Sequence, residues 1–273
     1  MKSKYFNSPV ITPLVKASVQ NAAFADGDIV FDWTSFDIPR GVARLLGATI
    51  ITRHNKVANQ VGTLDLVFAK DNGNNSTPTS IGTGNAILGV TNFASTDIIG
   101  FLPGKLSDMS GEGVTATAAT YHTSAVSPSP IVLEPNPNSG SNIGVDRFYV
   151  AGLASGALDL RSLVALDDNV DISANNGTIS DLDGTQPNAV FAAGDVLHVQ
   201  DNIILGEVAS VTADNIVLKF DGSTSTNHSG TYTVPADIAA FRIQNGAGAA
   251  GDLADNDLVY NVFPIRILLH FTK

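Results

Sequence analysis

The feature that most constrains the fold is the C-terminal segment 257–272, DLVYNVFPIRILLHFT, in which apolar and polar residues alternate. The other side of the segment carries Arg266 and His270. Side chains on a strand point alternately to its two faces, so the segment predicts a strand with one apolar face. A long exposed apolar edge would aggregate, and we therefore expect this strand to pair inside the sheet formed by the N-terminal part of the chain. The predicted apolar face consists of Phe263, Ile265, Ile267, Leu269 and Phe271.

Period-two patterns predict strands through most of the remaining chain. In segment 28–38, Ile29, Phe31 and Trp33 are predicted to share one face, and Trp33 is predicted to pack in the core. Segment 64–69 has the same alternation. The other predicted strands are 42–54, 86–91, 114–123, 145–153 and 160–166.

Helical periodicity is scarce. Residues 13–24 predict one short helix, and residues 235–241 begin with a proline that suits a first helical turn. The segments 71–80, 104–113 and 128–142 are rich in turn-forming residues, and we expect them to be exposed loops.

Residues 194–220 predict three short strands, joined by tight turns at 201–202 and 213–215. Such short strands bury little apolar surface alone, so we expect them to form a small barrel with segments 229–234 and 239–244. The chain is therefore predicted to be all-β, with a jelly-roll-like β-sandwich main domain and a small inserted β-barrel domain. The predicted boundaries are 1–157 plus 247–273 for the main domain and 158–246 for the insertion.

Composition and charge exclude several classes of function. Of the 273 residues, 44% are hydrophobic and 15% are charged, which is too apolar for a disordered chain. The formal net charge of −11 repels phosphate backbones, so nucleic acid is not expected as a partner. No apolar run approaches the ~20 residues of a membrane helix, and none follows Lys2 and Lys4 to form a signal peptide, so no membrane partner is expected. The lack of cysteine removes disulfides and thiolate chemistry.

Two motif matches are better explained as loops than as binding sites. Gly246, Gly248 and Gly251 have the spacing of a dinucleotide-binding loop, but the required helix and acidic residue do not follow. Residues 167–171 have the D-x-N-x-D spacing of a calcium loop, but Ile172 stands where that loop needs glycine. We therefore predict a connector and a solvated acidic turn, and neither a cofactor nor a metal.

The sequence contains no recognisable catalytic arrangement. Its five histidines are scattered without the spacing of a metal site, and Ser155 lies in GLASGA, which is not a nucleophile elbow. Paired carboxylates occur only in turn-like loops, where solvation explains them. The protein is therefore predicted not to be an enzyme.

The chain resembles virion proteins of tailed bacteriophages in several features taken together. It lacks cysteine, is rich in Thr, Asn, Gly and Ala, has long polar loops, and carries the pattern GD-hhh-x-h…hGEVxxV…NIVLKF within 194–220. Small glycine-turn barrels with this pattern recur in phage capsid, decoration and baseplate proteins. In size, acidity and two-domain β layout the chain is most similar to capsid decoration (cement) proteins. The resemblance carries over no functional residue.

This resemblance implies a non-enzymatic structural protein on the capsid exterior of a virion, made in the host cytoplasm. It would form homo-oligomers and bind phage structural proteins such as the major capsid protein, to decorate or stabilise the lattice. One alternative is a phage tail or baseplate component that binds a receptor or a glycan, and another is a polysaccharide hydrolase. Glycan binding would use exposed aromatic side chains, and the polar loops 71–85, 104–113, 134–144 and 167–188 contain none.

The N-terminal arm, residues 1–25, is the predicted docking element, because it contains three lysines and no acidic residue. Its prolines and aromatic rings suit an extended segment that lies across another subunit. The alternative is that the arm pairs with its own sheet. Docking predicts that a chain without residues 1–12 keeps its thermal transition but assembles poorly. The predicted subunit or lattice contacts are Lys2, Lys4, Tyr5, Phe6, Pro9 and Lys16.

Overall fold

The computed structural model consists mostly of strands, and the prediction of an all-β, sandwich-like fold is confirmed. The structure describes residues 4–15, 17–53, 63–71, 76–89, 98–104, 109–114, 118–124, 131–135, 144–166, 178–179, 182–184, 186–199, 203–218 and 258–273. In chain order the strands are β1 (Tyr5–Asn7), β2 (Ile29–Pro39), β3 (Ala43–Arg53), β4 (Thr63–Lys70), β5 (Ile98–Leu102), β6 (Met109–Val114), β7 (Ala118–Ser124), β8 (Ile131–Leu133), β9 (Val145–Ser155), β10 (Val164–Leu166), β11 (Thr178–Ile179), β12 (Leu182–Gly184), β13 (Val196–Val199), β14 (Ile203–Val211), β15 (Ile216–Leu218), β16 (Leu258–Asn261) and β17 (Ile265–Thr272).

Helices are short in the described part of the chain. They are α1 (Ala17–Gln20) and α2 (Pro187–Val190), and no helix among these residues has the length and hydropathy to span a bilayer. Helix α1 lies inside segment 13–24, where a short helix was predicted. The second predicted helix, 235–241, lies outside the described residues.

Two antiparallel sheets form the sandwich. The first has six strands in the order β1–β17–β3–β7–β6, with β8 also pairing with β3. The second has four strands in the order β2–β9–β4–β5. Both sheets contribute to one cluster of buried apolar side chains. The C-terminal strand β17 lies between β1 and β3, so its predicted pairing with the N-terminal part of the chain is confirmed.

The alternation of β17 decides which of its faces enters the core. Arg266 is exposed on the other face. Phe263 departs from the prediction, because β16 ends before it and it packs in a separate small cluster rather than in the sandwich core. Full burial of an aliphatic or phenylalanine side chain contributes ~1.5–3 kcal/mol. The buried side chains of β17, each at most 1% exposed, are Ile265, Ile267, Leu269 and Phe271.

Phenylalanine rings join the two sheets of the sandwich. Phe36 of β2 lies 6.1 Å from Phe148 and 6.3 Å from Phe68, both in its own sheet, measured between ring centroids. It also lies 6.4 Å from Phe271 of β17 in the opposite sheet. Such ring pairs contribute ~0.5–1.5 kcal/mol beyond their area burial. Phe36 therefore holds β2 over β17.

Two β-bulges in β2 overturn the prediction that Ile29, Phe31 and Trp33 share one face. The register of β2 against β9 shifts between Ile29 and Phe31, and again between Phe31 and Thr34. An extra residue in one strand turns the following side chain to the opposite face. Phe31 therefore packs in the sandwich core, whereas Ile29 and the half-buried Trp33 pack with Ile81 on the other side of the sheet.

Local sequence also gave wrong expectations for three segments. The segments 104–113 and 128–142, predicted as exposed loops, contain β6 and β8. Strand β8 forms because Ile131 packs in the sandwich core, a contact that the surrounding prolines and serines hide in the sequence. The described part of segment 86–91 is not a strand and forms a single bridge at Ile87.

The third sheet has seven strands in the order β11–β15–β14–β13–β16–β10–β12, and it packs around its own apolar cluster. Strands β13, β14 and β15 confirm the three strands predicted within 194–220. Segments 229–234 and 239–244, the predicted partners of these strands, lie outside the described residues. Strands β11 and β12 lie in segment 167–188, which was predicted to be a loop, and helix α2 begins at its end.

The residue boundaries of the two domains stay a prediction, but the described strands show where they are connected. Strand β16, inside the predicted main-domain range 247–273, pairs with β10 and β13 of the seven-stranded sheet. Arg53 at the end of β3 forms an ion pair with Asp195, a buried residue just before β13. The amide of Val262 donates a hydrogen bond of 2.8 Å to the carbonyl of Val196. Strand β16 and these contacts join the seven-stranded sheet to the sandwich.

The close approach of Gly152 to Phe31 gives a test of the β2 register. A Cβ at Gly152 would lie 2.2 Å from Cε1 of Phe31, whereas a Cβ at Gly89 would meet nothing within 4 Å. We expect Gly152→Ala to lower the free energy of unfolding by about 1–3 kcal/mol, because Phe31 must leave its packed position. Urea unfolding followed by circular dichroism measures the loss, with Gly89→Ala as the matched control that changes it by less than about 0.5 kcal/mol. Equal stability of the two variants would contradict the observed register.

Candidate functional site

The outer face of the six-stranded sheet is the first candidate site. Tyr5 is 72% exposed, Val132 is 41% exposed and Ile51 is 38% exposed. Arg44 and Arg266 are exposed on the same side of the sheet. We call the surface formed by these five residues the basic–apolar face.

Strand register places these residues in two rows across the sheet. The first row consists of Tyr5, Thr272, Arg44 and Val132, each opposite the next. In the second row Arg266 of β17 is opposite Ile51 of β3. Directly opposite residues on one face have Cβ atoms about 4.5–5.5 Å apart. The first row therefore crosses the sheet from β1 to β8, and the second row lies six residues away along β17.

The charge of this sheet is opposite to that of the chain. Strands β1, β3, β7, β8 and β17 contain no Asp or Glu, although the chain has a formal net charge of −11. Strand β6 contains Glu112, and the exposed Glu134 lies directly after β8. Of the arginines in these strands, Arg53 is engaged with Asp195, and Arg44 and Arg266 are exposed. Because basic residues outnumber acidic ones in the strands of this sheet, the basic–apolar face has the electrostatic character that attracts an acidic partner surface.

The arm lies against its own sheet, which is the alternative to docking on a neighbour. Strand β1 pairs with β17, and the amide of Ser8 donates a hydrogen bond of 2.9 Å to the carbonyl of Leu269. Phe6 stacks on Phe271 with ring centroids 5.3 Å apart. Residues 4–11 of the arm are therefore part of the sandwich, and removing residues 1–12 would disturb it, in contrast to the expectation from sequence.

The arm also has an outward side, and contact of this side with a subunit or lattice stays a prediction. Lys4, Tyr5 and Pro9 are exposed. Lys2 and Lys16 lie outside the described residues. Strand β1 is an edge of the six-stranded sheet in the described chain, so Tyr5 brings the basic–apolar face to that edge.

Adjacent residues of β1 separate the folding role of the arm from its surface role. We expect Phe6→Ala to lower the free energy of unfolding by about 1–2 kcal/mol, because it removes the ring stacked on Phe271. Tyr5→Ala should change it by less than about 0.5 kcal/mol, because the ring is exposed. Thermal and urea unfolding of both variants measure the difference. An equal loss in the two variants would contradict the inward orientation of Phe6.

A cleft of about 580 Å³ is the second candidate site, and it lies between β2, residues 80–84 and the arm. Its lining combines an aromatic ring, hydroxyl groups, a carboxylate and aliphatic side chains. The volume falls within the ~300–1,000 Å³ usual for small-molecule sites. The lining residues used below are Asp32, Trp33, Thr12, Ser80, Leu14 and Phe263.

Hydrogen bonds hold the wall of the cleft in place. The indole Nε1–H of Trp33 donates to the carbonyl of Thr79 at 2.8 Å. Oδ1 of Asp32 accepts from the amides of Trp33 and Ile81, at 2.8 and 3.2 Å. The position of Trp33 in a cleft could not be predicted from the sequence, because the bulges of β2 are not visible there.

A third polar group lies where helix α1 meets the seven-stranded sheet. Nε2 of Gln20 donates to the carbonyls of Val15 and Asn261, at 2.7 and 2.9 Å, and lies 3.5 Å from Nε2 of His198. The imidazole of His198 packs against the edge of the Tyr260 ring. The side chains of Gln20, His198 and Asn261 are all buried. This group is therefore a packed contact between the helix and the sheet and not an accessible site.

Most motifs singled out in the sequence contribute nothing to these sites. Gly246, Gly248 and Gly251 and the calcium-like segment 167–171 lie outside the described residues. Within the described ranges no group of three His, Asp or Glu residues is placed to hold a metal ion. Comparison of the chain with protein-family models, curated proteins and solved structures finds no match.

Burial of His198 predicts a loss of stability in acid. The side chain is fully buried, and this burial lowers the pKa of His198 to about 3 from its ordinary value of 6.5. The unfolded chain takes up a proton below about pH 6.5, whereas the folded chain does not. The neutral imidazole therefore makes its full contribution to the free energy of unfolding above pH 6.5. As the pH falls from 6.5 toward 3, this free energy decreases by about 1.4 kcal/mol per pH unit.

Urea unfolding at several pH values tests this dependence. The control is His198→Gln, which keeps a polar side chain but does not titrate. The wild type should lose stability relative to this variant as the pH is lowered from 6.5 toward 3. Parallel pH profiles of the two proteins would contradict the burial of a neutral imidazole.

Proposed function

We propose that this chain is a non-enzymatic structural protein of a tailed-phage virion, which decorates or stabilises a capsid lattice. The basic–apolar face is the surface that docks on the lattice. The observation that carries the docking proposal is the exposure of Tyr5, Ile51 and Val132 beside Arg44 and Arg266, in a chain that is otherwise acidic.

The exposed apolar groups of this face favour contact with a protein. Exposed apolar side chains interspersed with polar and charged ones are typical of protein–protein interaction sites. Tyr and Arg are enriched at the energetically important positions of such interfaces. The backbone of a sheet is also rigid, so binding does not require a loop to become ordered.

The exposed arginines favour a partner whose surface is acidic. Arg44 and Arg266 would pair with carboxylates of the lattice and orient the protein as it docks. The partner assigned by this proposal is a lattice of major capsid protein. The support for a virion, rather than another assembly, is the resemblance of residues 194–220 and of the composition to phage decoration proteins. Homo-oligomer formation belongs to the same proposal.

Binding of the purified chain to cognate capsids stripped of their minor proteins tests the proposal. We expect the wild type to co-sediment with the capsids and to appear as added density in negative-stain images. The double variant Arg44→Glu, Arg266→Glu should bind about tenfold or more weakly, because it places like charges against the acidic lattice. Binding should also weaken as the salt concentration rises.

Lys70→Glu is the control for the charge reversals, because it changes charge on the four-stranded sheet and should leave lattice binding unchanged. Tyr5→Ala should reduce binding without changing the unfolding transition. Absence of density on the lattice would refute the proposal. Binding that is equally weakened by Lys70→Glu would place the contact on another face.

A further inference from the structure

We propose that the cleft beside Trp33 is a binding site for a neutral sugar, a hexopyranose or the end of a neutral oligosaccharide. This site is separate from the lattice-docking function, because none of its lining residues belongs to the basic–apolar face. A decoration protein with such a site would contact saccharides at the surface that it presents outward.

The mixed lining of the cleft matches the two surfaces of a sugar ring. The C–H groups of a pyranose form an apolar patch that packs on an indole, and Trp33 is one of the residues that line the cleft. Leu14 and Phe263 add apolar surface nearby, and the hydroxyl-bearing residues Thr12 and Ser80 line the same cavity. Oγ of Ser80 also accepts a hydrogen bond of 3.2 Å from the amide of Gly82. Ligand sites are commonly apolar with a few polar groups that fix orientation.

The charges of the lining select a neutral ligand. Asp32 is the one charged side chain among the described lining residues, and no lysine or arginine of this set could meet a phosphate or a sugar carboxylate. Oδ1 of Asp32 is occupied by two backbone amides, which leaves Oδ2 to accept a ligand hydroxyl. The net charge of −11 further disfavours an anionic sugar.

The cleft is formed before any ligand arrives. The hydrogen bond from Trp33 to Thr79 fixes the indole, and the bond from Ile81 to Asp32 ties the adjoining loop to β2. Ile81 is also fully buried, and its packing holds the loop against the sheet. Pre-formed sites lose less conformational entropy on binding, which matters for a ligand with few apolar atoms.

An extended peptide is the competing occupant, because β2 is an edge strand of the four-stranded sheet in the described chain. Adding a strand to a sheet edge requires a regular row of backbone groups. The register shifts between Ile29 and Thr34 break that row beside the cleft. Bulges of this kind protect sheet edges from pairing, so the geometry favours a compact ring over a strand.

A single reporter makes the test direct, because Trp33 is the only tryptophan in the chain. The full chain is titrated with glucose, galactose, mannose, N-acetylglucosamine and their short oligosaccharides. Tryptophan fluorescence and the single indole N–H signal in a ¹⁵N–¹H spectrum are followed. We expect saturable changes with at least one neutral sugar and none with glucuronate.

Two variants locate the binding site. Asp32→Asn keeps the acceptor for the two backbone amides but removes the charged acceptor, and it should weaken binding about tenfold or more. Ser80→Phe should block the cleft and abolish binding. Asp37→Asn is the matched control, because Asp37 lies on the same strand, pairs with Arg147 and is outside the cleft. Circular dichroism and thermal unfolding establish that each variant is folded.

The outcomes separate the competing occupants. Saturable binding of a neutral sugar that is weakened by Asp32→Asn and unaffected by Asp37→Asn supports the proposal. No response to any neutral sugar overturns it, as does binding that is unchanged in both Asp32→Asn and Ser80→Phe. A response to extended peptides or to glucuronate, in place of the neutral sugars, also overturns it. None of these results depends on whether the chain binds a capsid.

Discussion

The stacking of Phe36 against Phe271 is the contact on which the rest of the sandwich depends. Phe36 belongs to the four-stranded sheet and Phe271 to the six-stranded sheet, so this contact joins two sheets whose described strands do not pair with each other. Phe148 and Phe6 extend the cluster on either side. Because aromatic pairs prefer particular offsets, the cluster determines how the sheets lie over each other as well as how much area they bury.

Strand β17 connects this aromatic cluster to the strands on both of its sides. On one side it holds the arm through β1, and on the other it pairs with β3 over the whole length of β17. The connection from β16 to β17 ties the seven-stranded sheet to the sandwich, with the ion pair of Arg53 and Asp195 beside it. The seven-stranded sheet has its own core, but its position relative to the sandwich depends on these few contacts and on the buried group around His198.

The two candidate sites follow from the same architecture. A sandwich buries one face of each sheet and leaves the other available, and the described outer face of the six-stranded sheet carries exposed apolar and basic side chains. The cleft lies at the opposite sheet, where the bulges of β2 turn Trp33 away from the core. A rigid scaffold thus presents a docking face and a small-ligand cleft made from different residues.

The sequence alone was sufficient to predict the class of the fold, most of the long strands, the core face of β17 from Ile265 to Phe271, and the three strands within 194–220. These features are encoded locally, because alternation of apolar residues depends only on neighbours along the chain. The N-terminal pairing, the inclusion of β8 and the orientation of Trp33 were decided by tertiary structure. Each depends on which residue of another strand lies opposite, and strand register is a property of two segments that no single segment reveals. The cleft could not be foreseen for this reason, since it exists only where two shifts in register meet a loop and the arm.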